Sequence, residues 1–165
     1  MVCINPQDLT ALRNKFKDEK IVFCAGCFDL THAGHVIFFE ECKKLGDILV
    51  VGVGGDAIIK QLKDNNRPIL NEKIRLKTVD SIKPVDYCFI DHTGNKENPN
   101  LLLEVVFEKL KPNVYVINED AFGIPYREEC AKKYAVNMVI LKRWCPTEFE
   151  NISTSKIIQK IKNVN

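Results

Sequence analysis

The chain has 165 residues, 45% of them hydrophobic and 28% charged, enough apolar material for one globular domain, 1–165, with a core of ordinary size. A net charge of +2, with basic residues scattered, gives no field for wrapping nucleic acid, and no run approaches the roughly 18 apolar residues of a membrane span. Seven cysteines without framework spacing, and an N-terminus (Met1-Val-Cys-Ile-Asn-Pro6) without the layout of a secretion signal, point to free thiols and a reducing cytoplasm.

Helical spacing over Leu9 to Phe16 predicts a short lead-in helix, followed by a buried strand at 20–25. A helix from about Gly34 to Leu45 can turn Val36, Phe39 and Cys42 to a sheet. Ile48 to Val53 is apolar at nearly every position, the pattern of a strand covered on both faces of a parallel sheet. Gly54-Gly55-Asp56 then turns into a helix carrying Ala57, Ile58, Ile59 and Leu62. Residues 63–71 read as a loop, with Asn71 capping a helix that runs to about Ile82. Tyr87 to Ile90 is a third strand, and polar Asp91 to Asn100 an exposed loop. Leu101–Leu110 (helix), Val114–Ile117 (strand), Tyr126–Tyr134 (helix) and Met138–Leu141 (strand) follow. A last helix starts at Ser153 or Thr154 and runs to about Ile161. This alternation predicts an α/β fold, a Rossmann-like doubly wound sheet of about five parallel strands in one domain, with ligands at the carboxyl ends of the strands.

Residues 26–35 read Gly-Cys-Phe-Asp-Leu-Thr-His-Ala-Gly-His and follow the first strand directly, where that rule places a ligand. Two imidazoles flanking a glycine at a helix start set cationic or hydrogen-donating side chains beside free backbone N–H groups. The pattern predicts a polyphosphate site. His32 and His35, three apart, share a face of the first turn and can reach one anion, while Gly34 lets a phosphate approach the backbone. Two histidines at this spacing in isolation are more often capping or surface residues; the strand context with Gly26, Asp29 and Gly34 favours a site.

Gly26 to His35 resembles the H-x-G-H signature of the cytidylyltransferase-like nucleotidyltransferases. Leu45 to Val53, Asp56, Lys60 and Lys63, and the segment Arg67-Pro-Ile-Leu-Asn-Glu-Lys-Ile-Arg75 resemble the family's second strand, basic loop and E-x-x-R helix. Ile152-Ser-Thr-Ser155 is similar to its C-terminal I-S-T-T/S element. The first 90 residues look most like heptose-1-phosphate adenylyltransferase domains, with glycerol-3-phosphate cytidylyltransferase next. Where those relatives carry Gly-(Gly/Asp)-Asp, this chain has Ile117-Asn-Glu-Asp120, and its spacer 144–151 is longer than the link of the glycerol-phosphate enzymes.

The resemblance implies transfer of a nucleoside monophosphate from CTP or ATP to a phosphorylated sugar or polyol, with release of pyrophosphate. On that reading His32 and His35 serve the phosphates and the transition state, and Lys63 and Lys60 the reacting phosphates. Arg75 and Arg143 neutralise charge from the side. Ser153 and Thr154 offer hydroxyl and backbone donors to the β- and γ-phosphates. Gly26, Cys27, Phe28, Asp29, Gly34, Asn118 and Ile152 complete the nucleotide site, with Asp29 open to either an acceptor contact or a turn-stabilising role. Magnesium arrives mainly on the nucleotide, the partners are a nucleoside triphosphate and a phosphorylated small molecule, and a homodimer is expected. A catalytically silent nucleotide-binding module would keep the same elements. A different reading takes Cys24-Ala-Gly-Cys27 as a thiol-redox pair, or joins it to His32 and His35 as four zinc ligands. Cys24 lies inside a strand with the turn beginning at Gly26, so the two sulfurs need not converge, and the Cys-to-His gap is shorter than that of a zinc finger.

Overall fold

Apolar residues at nearly every position of 21–26 and 48–54 demand cover on both faces, and in the computed structural model these segments are neighbours at the middle of a parallel sheet. Residues 2–63, 66–93, 97–98, 101–149 and 152–164 are described. The strands are β1 (Val2–Cys3), β2 (Ile21–Gly26), β3 (Ile48–Gly54), β4 (Tyr87–Asp91), β5 (Val114–Asn118) and β6 (Asn137–Leu141). Between them run α1 (Leu9–Lys15), α2 (Ala33–Lys43), α3 (Asp56–Leu62), α4 (Glu72–Asp80), α5 (Leu101–Lys109) and α6 (Ile124–Lys133), and α7 (Thr154–Lys162) follows. None of the described helices is long and apolar enough to cross a membrane.

The sheet order is β1-β4-β3-β2-β5-β6 and every pairing is parallel. Order reverses between β2 and β5, so the crevice at the carboxyl end of β2 is the topological switch point. The five expected strands are β2 to β6. The sixth, β1, has two residues in register with Tyr87 and Cys88, too short for any period to show in the sequence.

Side chains of the central strands alternate between two cores. Phe23, Val50, Phe89 and Tyr115 face α1, α5 and α6, with Phe23 stacked on Phe89 at 6.3 Å and on Tyr115 at 5.8 Å. Val22, Cys24, Leu49, Val51 and Cys88 face the opposite side, against Phe39 and Cys42 of α2 and Val79 of α4. Both expected helix caps form: Asn71 Oδ1 accepts from the Ile74 N–H at 3.1 Å, and Ser153 Oγ from the Lys156 N–H at 3.3 Å. In the segment read as an exposed loop, Asp91 instead ends β4 and is buried, while 94–96, 99 and 100 lie outside the described residues.

Candidate active site

The turn after β2 is held in a conformation that side chains resist. Phe28 and Leu30 take φ of 50° and 46°, left-handed values uncommon away from glycine. Phe28 folds back over Gly26, where a Cβ would stand 2.9 Å from its ring, and packs on Phe39 at 4.9 Å and edge-on to His35 at 5.6 Å. Three anchors offset the strain. The buried Asp29 carboxylate accepts from the Ile69 N–H at 2.8 Å and the Leu70 N–H at 3.0 Å, and its carbonyl accepts from Thr154 Oγ at 2.9 Å. Fully buried Arg75 donates to the carbonyls of Leu70 (2.9 Å) and Cys27 (2.6 Å) and to Asp56 Oδ1 (2.7 Å).

The turn presents two imidazoles. His32 caps α2, its Nδ1 accepting from the Gly34 N–H at 3.1 Å, while His35 Nδ1 accepts from the His32 N–H at 3.3 Å. With both Nδ1 atoms accepting, the ring protons sit on Nε2 and each ring is a neutral N–H donor. Burial, then the neighbouring His32, Arg143 and Lys63, pushes His35 down to about 4; burial and Arg143 lower His32 as well. Of the two options read from the motif, hydrogen-donating rather than cationic describes these imidazoles. A Cβ at Gly34 would lie 2.9 Å from His32 Cε1. Gly34 therefore makes room for an imidazole.

Motif, basic loop and C-terminal element converge on one cavity of about 610 Å³. Gly26 to Asp29, His32 to His35, Lys63, Asn118, Arg143 and Ile152 to Ser155 all line it. The N-terminus of α7 brings the Thr154 and Ser155 N–H groups beside the motif, held there by the Thr154–Asp29 bond. That bond uses the Thr154 hydroxyl proton, so the contribution left to Thr154 is its backbone N–H. Glu119 and Asp120 stand where a Gly-(Gly/Asp)-Asp element was the comparison, and they hold Arg143: Glu119 Oε1 accepts its backbone N–H at 3.1 Å and Asp120 Oδ2 pairs with Nη2 at 2.7 Å.

Two expected phosphate ligands are elsewhere. Lys60 is exposed on α3, outside the lining. Arg75 is also outside it, with its guanidinium spent on two carbonyls and Asp56. The Asp29 carboxylate is likewise committed to backbone N–H groups, which decides for the turn-stabilising role. In exchange the cavity gains residues to which the sequence reading gave no role of their own. Arg67 is buried, with Nη2 3.0 Å from Asp29 Oδ2 but neither Nε nor Nη2 aligned in a hydrogen bond. Phe122 and Trp144 are 57% and 64% exposed at the lining. Exposed large aromatics at a cavity were the available signal, but sequence does not show exposure.

The profile of the family described as Cytidylyltransferase-like matches residues 23–160. The chain belongs to that family. It is 36% identical over 158 residues to the bifunctional protein HldE of Helicobacter pylori, covering 95% of this chain and 31% of that protein. The chain thus spans about a third of the length of the curated relatives it matches. Among solved structures, a lipopolysaccharide core biosynthesis protein from Thermoplasma volcanium GSS1 superposes with a TM-score of 0.61 at 27% identity, over 76% of this chain and 97% of that one. A pantoate-beta-alanine ligase from Francisella tularensis shares the fold at a TM-score of 0.59 and 16% identity, over 98% of this chain and 77% of that one. The enzyme class of the family is nucleotidyl transfer, adenylyl or cytidylyl.

Within this cytidylyltransferase-like site the carboxylates have partners. Asp91 Oδ1 accepts from the Thr93 N–H and hydroxyl at 2.8 and 2.6 Å, Asp29 is tied to 67–70, and Asp120 is paired with Arg143. Such a lining fits magnesium that arrives on a polyphosphate better than an ion held by protein carboxylates. Cys24, Cys27, His32 and His35 do not form a metal-sized cluster among the described residues; the cluster that does form is at the far edge of the sheet.

Proposed function

We propose that the chain transfers a nucleoside monophosphate from ATP or CTP to a phosphorylated sugar or polyol and releases pyrophosphate. The observation that carries the reading is the meeting of two imidazole N–H donors and the N-terminus of α7 in one cavity at the switch point of the sheet. An acceptor phosphate is anionic near neutral pH and attacks the α-phosphorus without a general base. Its oxygen forms the new P–O bond while the bond from the α-phosphorus to the bridging oxygen breaks, and the electron pair leaves on pyrophosphate. The barrier is charge, so donors aimed at the leaving group are the required equipment.

Neutral His32 and His35 cost little to bring near other cations, and an arriving triphosphate raises their proton affinity as charge builds on the bridging oxygen. The α7 N–H groups and Ser153 suit the β- and γ-phosphates. Lys63 and the partly unpartnered Arg67 suit an acceptor phosphate, and Arg143 closes the mouth. Magnesium carried by the triphosphate would neutralise part of its charge. Phe122 and Trp144 offer faces on which a base can lie.

Pyrophosphate release is the direct test, with ATP and CTP each assayed against a panel of sugar and polyol phosphates. Turnover with one triphosphate and one acceptor class is expected. Triphosphate binding without turnover on any acceptor reduces the chain to a binding module, and no binding at all ends the reading.

A further inference from the structure

Outside the cavity lining, at the edge of the sheet, β1 runs in register with β4 so that Cys3 stands opposite Cys88. Their sulfurs are 3.8 Å apart. The last residue of α4 reaches the same point, with Asp80 Oδ1 3.9 Å from Cys88 Sγ. One ligand atom from each of Cys3, Asp80 and Cys88 lies within 4.8 Å of the other two.

Two thiolates about 2.3 Å from a tetrahedral ion are held about 3.8 Å apart, the spacing found between Cys3 and Cys88. A thiolate and a carboxylate oxygen at about 2.0 Å on the same ion come about 3.5 Å apart, a few tenths closer than Cys88 and Asp80 now stand. A small side-chain rotation closes that gap. Asp80 divides its two oxygens: Oδ2 lies 3.6 Å from Lys77 Nζ, while Oδ1 faces the sulfur. The Lys77 ammonium thus sits on the side of the carboxylate away from the sulfur and offsets part of the negative charge of the three ligands. Cys88 is buried and Cys3 exposed, which leaves one side open to solvent.

We propose that Cys3, Cys88 and Asp80 form a site for a borderline-soft divalent cation of the zinc class, with water in the fourth position. Two sulfurs and one oxygen select such an ion over magnesium or calcium. Uptake breaks two S–H bonds, forms two metal–sulfur bonds and releases two protons, with no change of oxidation state. The ion ties β1 to β4 and α4, joining segments 85 residues apart in sequence. Through α4 it braces the helix whose Arg75 holds the catalytic turn, so its role is structural and separate from nucleotidyl transfer.

The test uses the full chain, reduced and stripped of metal, titrated with zinc(II) and with cobalt(II) as a spectroscopic stand-in. One equivalent of zinc should survive gel filtration and raise the Tm, and cobalt should give an intense sulfur-to-metal charge-transfer band. Cys3→Ser, at an exposed position, and Asp80→Asn should each lower metal affinity by at least about tenfold. Cys130→Ala should leave it unchanged. Cobalt spectra without the sulfur band, or equal affinity in Cys3→Ser, Asp80→Asn and the parent, would overturn the site. So would a chain isolated lighter by two hydrogens that takes no zinc until reduced and binds none afterwards, because the pair is then a disulfide.

Discussion

His32 and His35 divide their nitrogens: Nδ1 is used to build the turn, and Nε2 is left for a ligand. Replacing either with Ala should lower kcat about 100-fold or more, the usual cost of a donor to developing charge, and change triphosphate affinity much less. Steady-state kinetics with saturating acceptor separate the two effects, and near-normal kcat in the double variant would make the motif purely structural. The same burial has a thermodynamic consequence. His35 ordinarily titrates near 6.5 and in the fold near 4, so between those pH values the unfolded chain binds a proton the native state refuses. The contribution of this group to stability is therefore full above about pH 6.5 and is lost as pH drops toward 4. Urea midpoints at pH 7 and pH 5 should differ less for His35→Asn than for the parent, and equal differences would contradict the assignment. Arg75 is the instructive misreading at this scale. The resemblance implied that it neutralises charge from the side of the site, yet it meets Cys27, Leu70 and Asp56. Charge in a sequence says that a partner exists; only the fold says whether it is ligand or protein. Arg75→Met should cost about 3 kcal/mol in urea denaturation, since buried carbonyls and Asp56 lose their donor.

Elements explain why the site holds together. Glu72 and Arg75 on α4 grip the start of α3 from two directions: Glu72 Oε2 accepts the Asp56 N–H at 2.8 Å, and Arg75 binds the Asp56 carboxylate. His92, a loop histidine with no role readable in sequence, braces Glu72 Oε1 at 3.0 Å. Helix and strand identities were legible from β2 onward, because unbroken apolar runs bounded by polar caps leave few alternatives for strands and caps fix helix starts. The two-residue β1 was not, and neither was the lead of α6, which begins at Ile124 behind a left-handed Gly123. Helix α7 differs from the others in having no fully buried residue, so its docking leans on the Thr154–Asp29 bond. Thr154→Val removes about 1 kcal/mol of that hold, which corresponds to about fivefold in an equilibrium. The KM for triphosphate should rise by that order while the urea midpoint barely moves. A large loss of stability with unchanged KM would show that α7 supports the fold rather than the ligand.

At the scale of the molecule, the sheet supplies rigidity and the cavity sits at its topological switch point. Strand β2 is fixed by stacked Phe23, Phe89 and Tyr115 on one face and by Val22 and Cys24 on the other, so the turn it delivers starts from a well-determined point. Beyond that point the site is assembled from the 26–35 turn, Lys63, Arg143 and the start of α7, with the Thr154–Asp29 bond joining the first of these to the last. A ligand spanning them adds contacts between these parts, and stabilisation by the ligand then reports binding independently of turnover. At 100 times its Kd a bound triphosphate adds about 2.7 kcal/mol, and for a domain of this size each kcal/mol moves the Tm by roughly 2–4 °C. The triphosphate used by the enzyme should therefore raise the Tm by about 5–10 °C in the presence of magnesium, and the other should raise it much less. The His32→Ala, His35→Ala double variant should keep most of that shift, because its loss falls on the transition state. A double variant with no shift would instead place the histidines in ground-state binding, and equal shifts from ATP and CTP would mean that base selection waits for the acceptor.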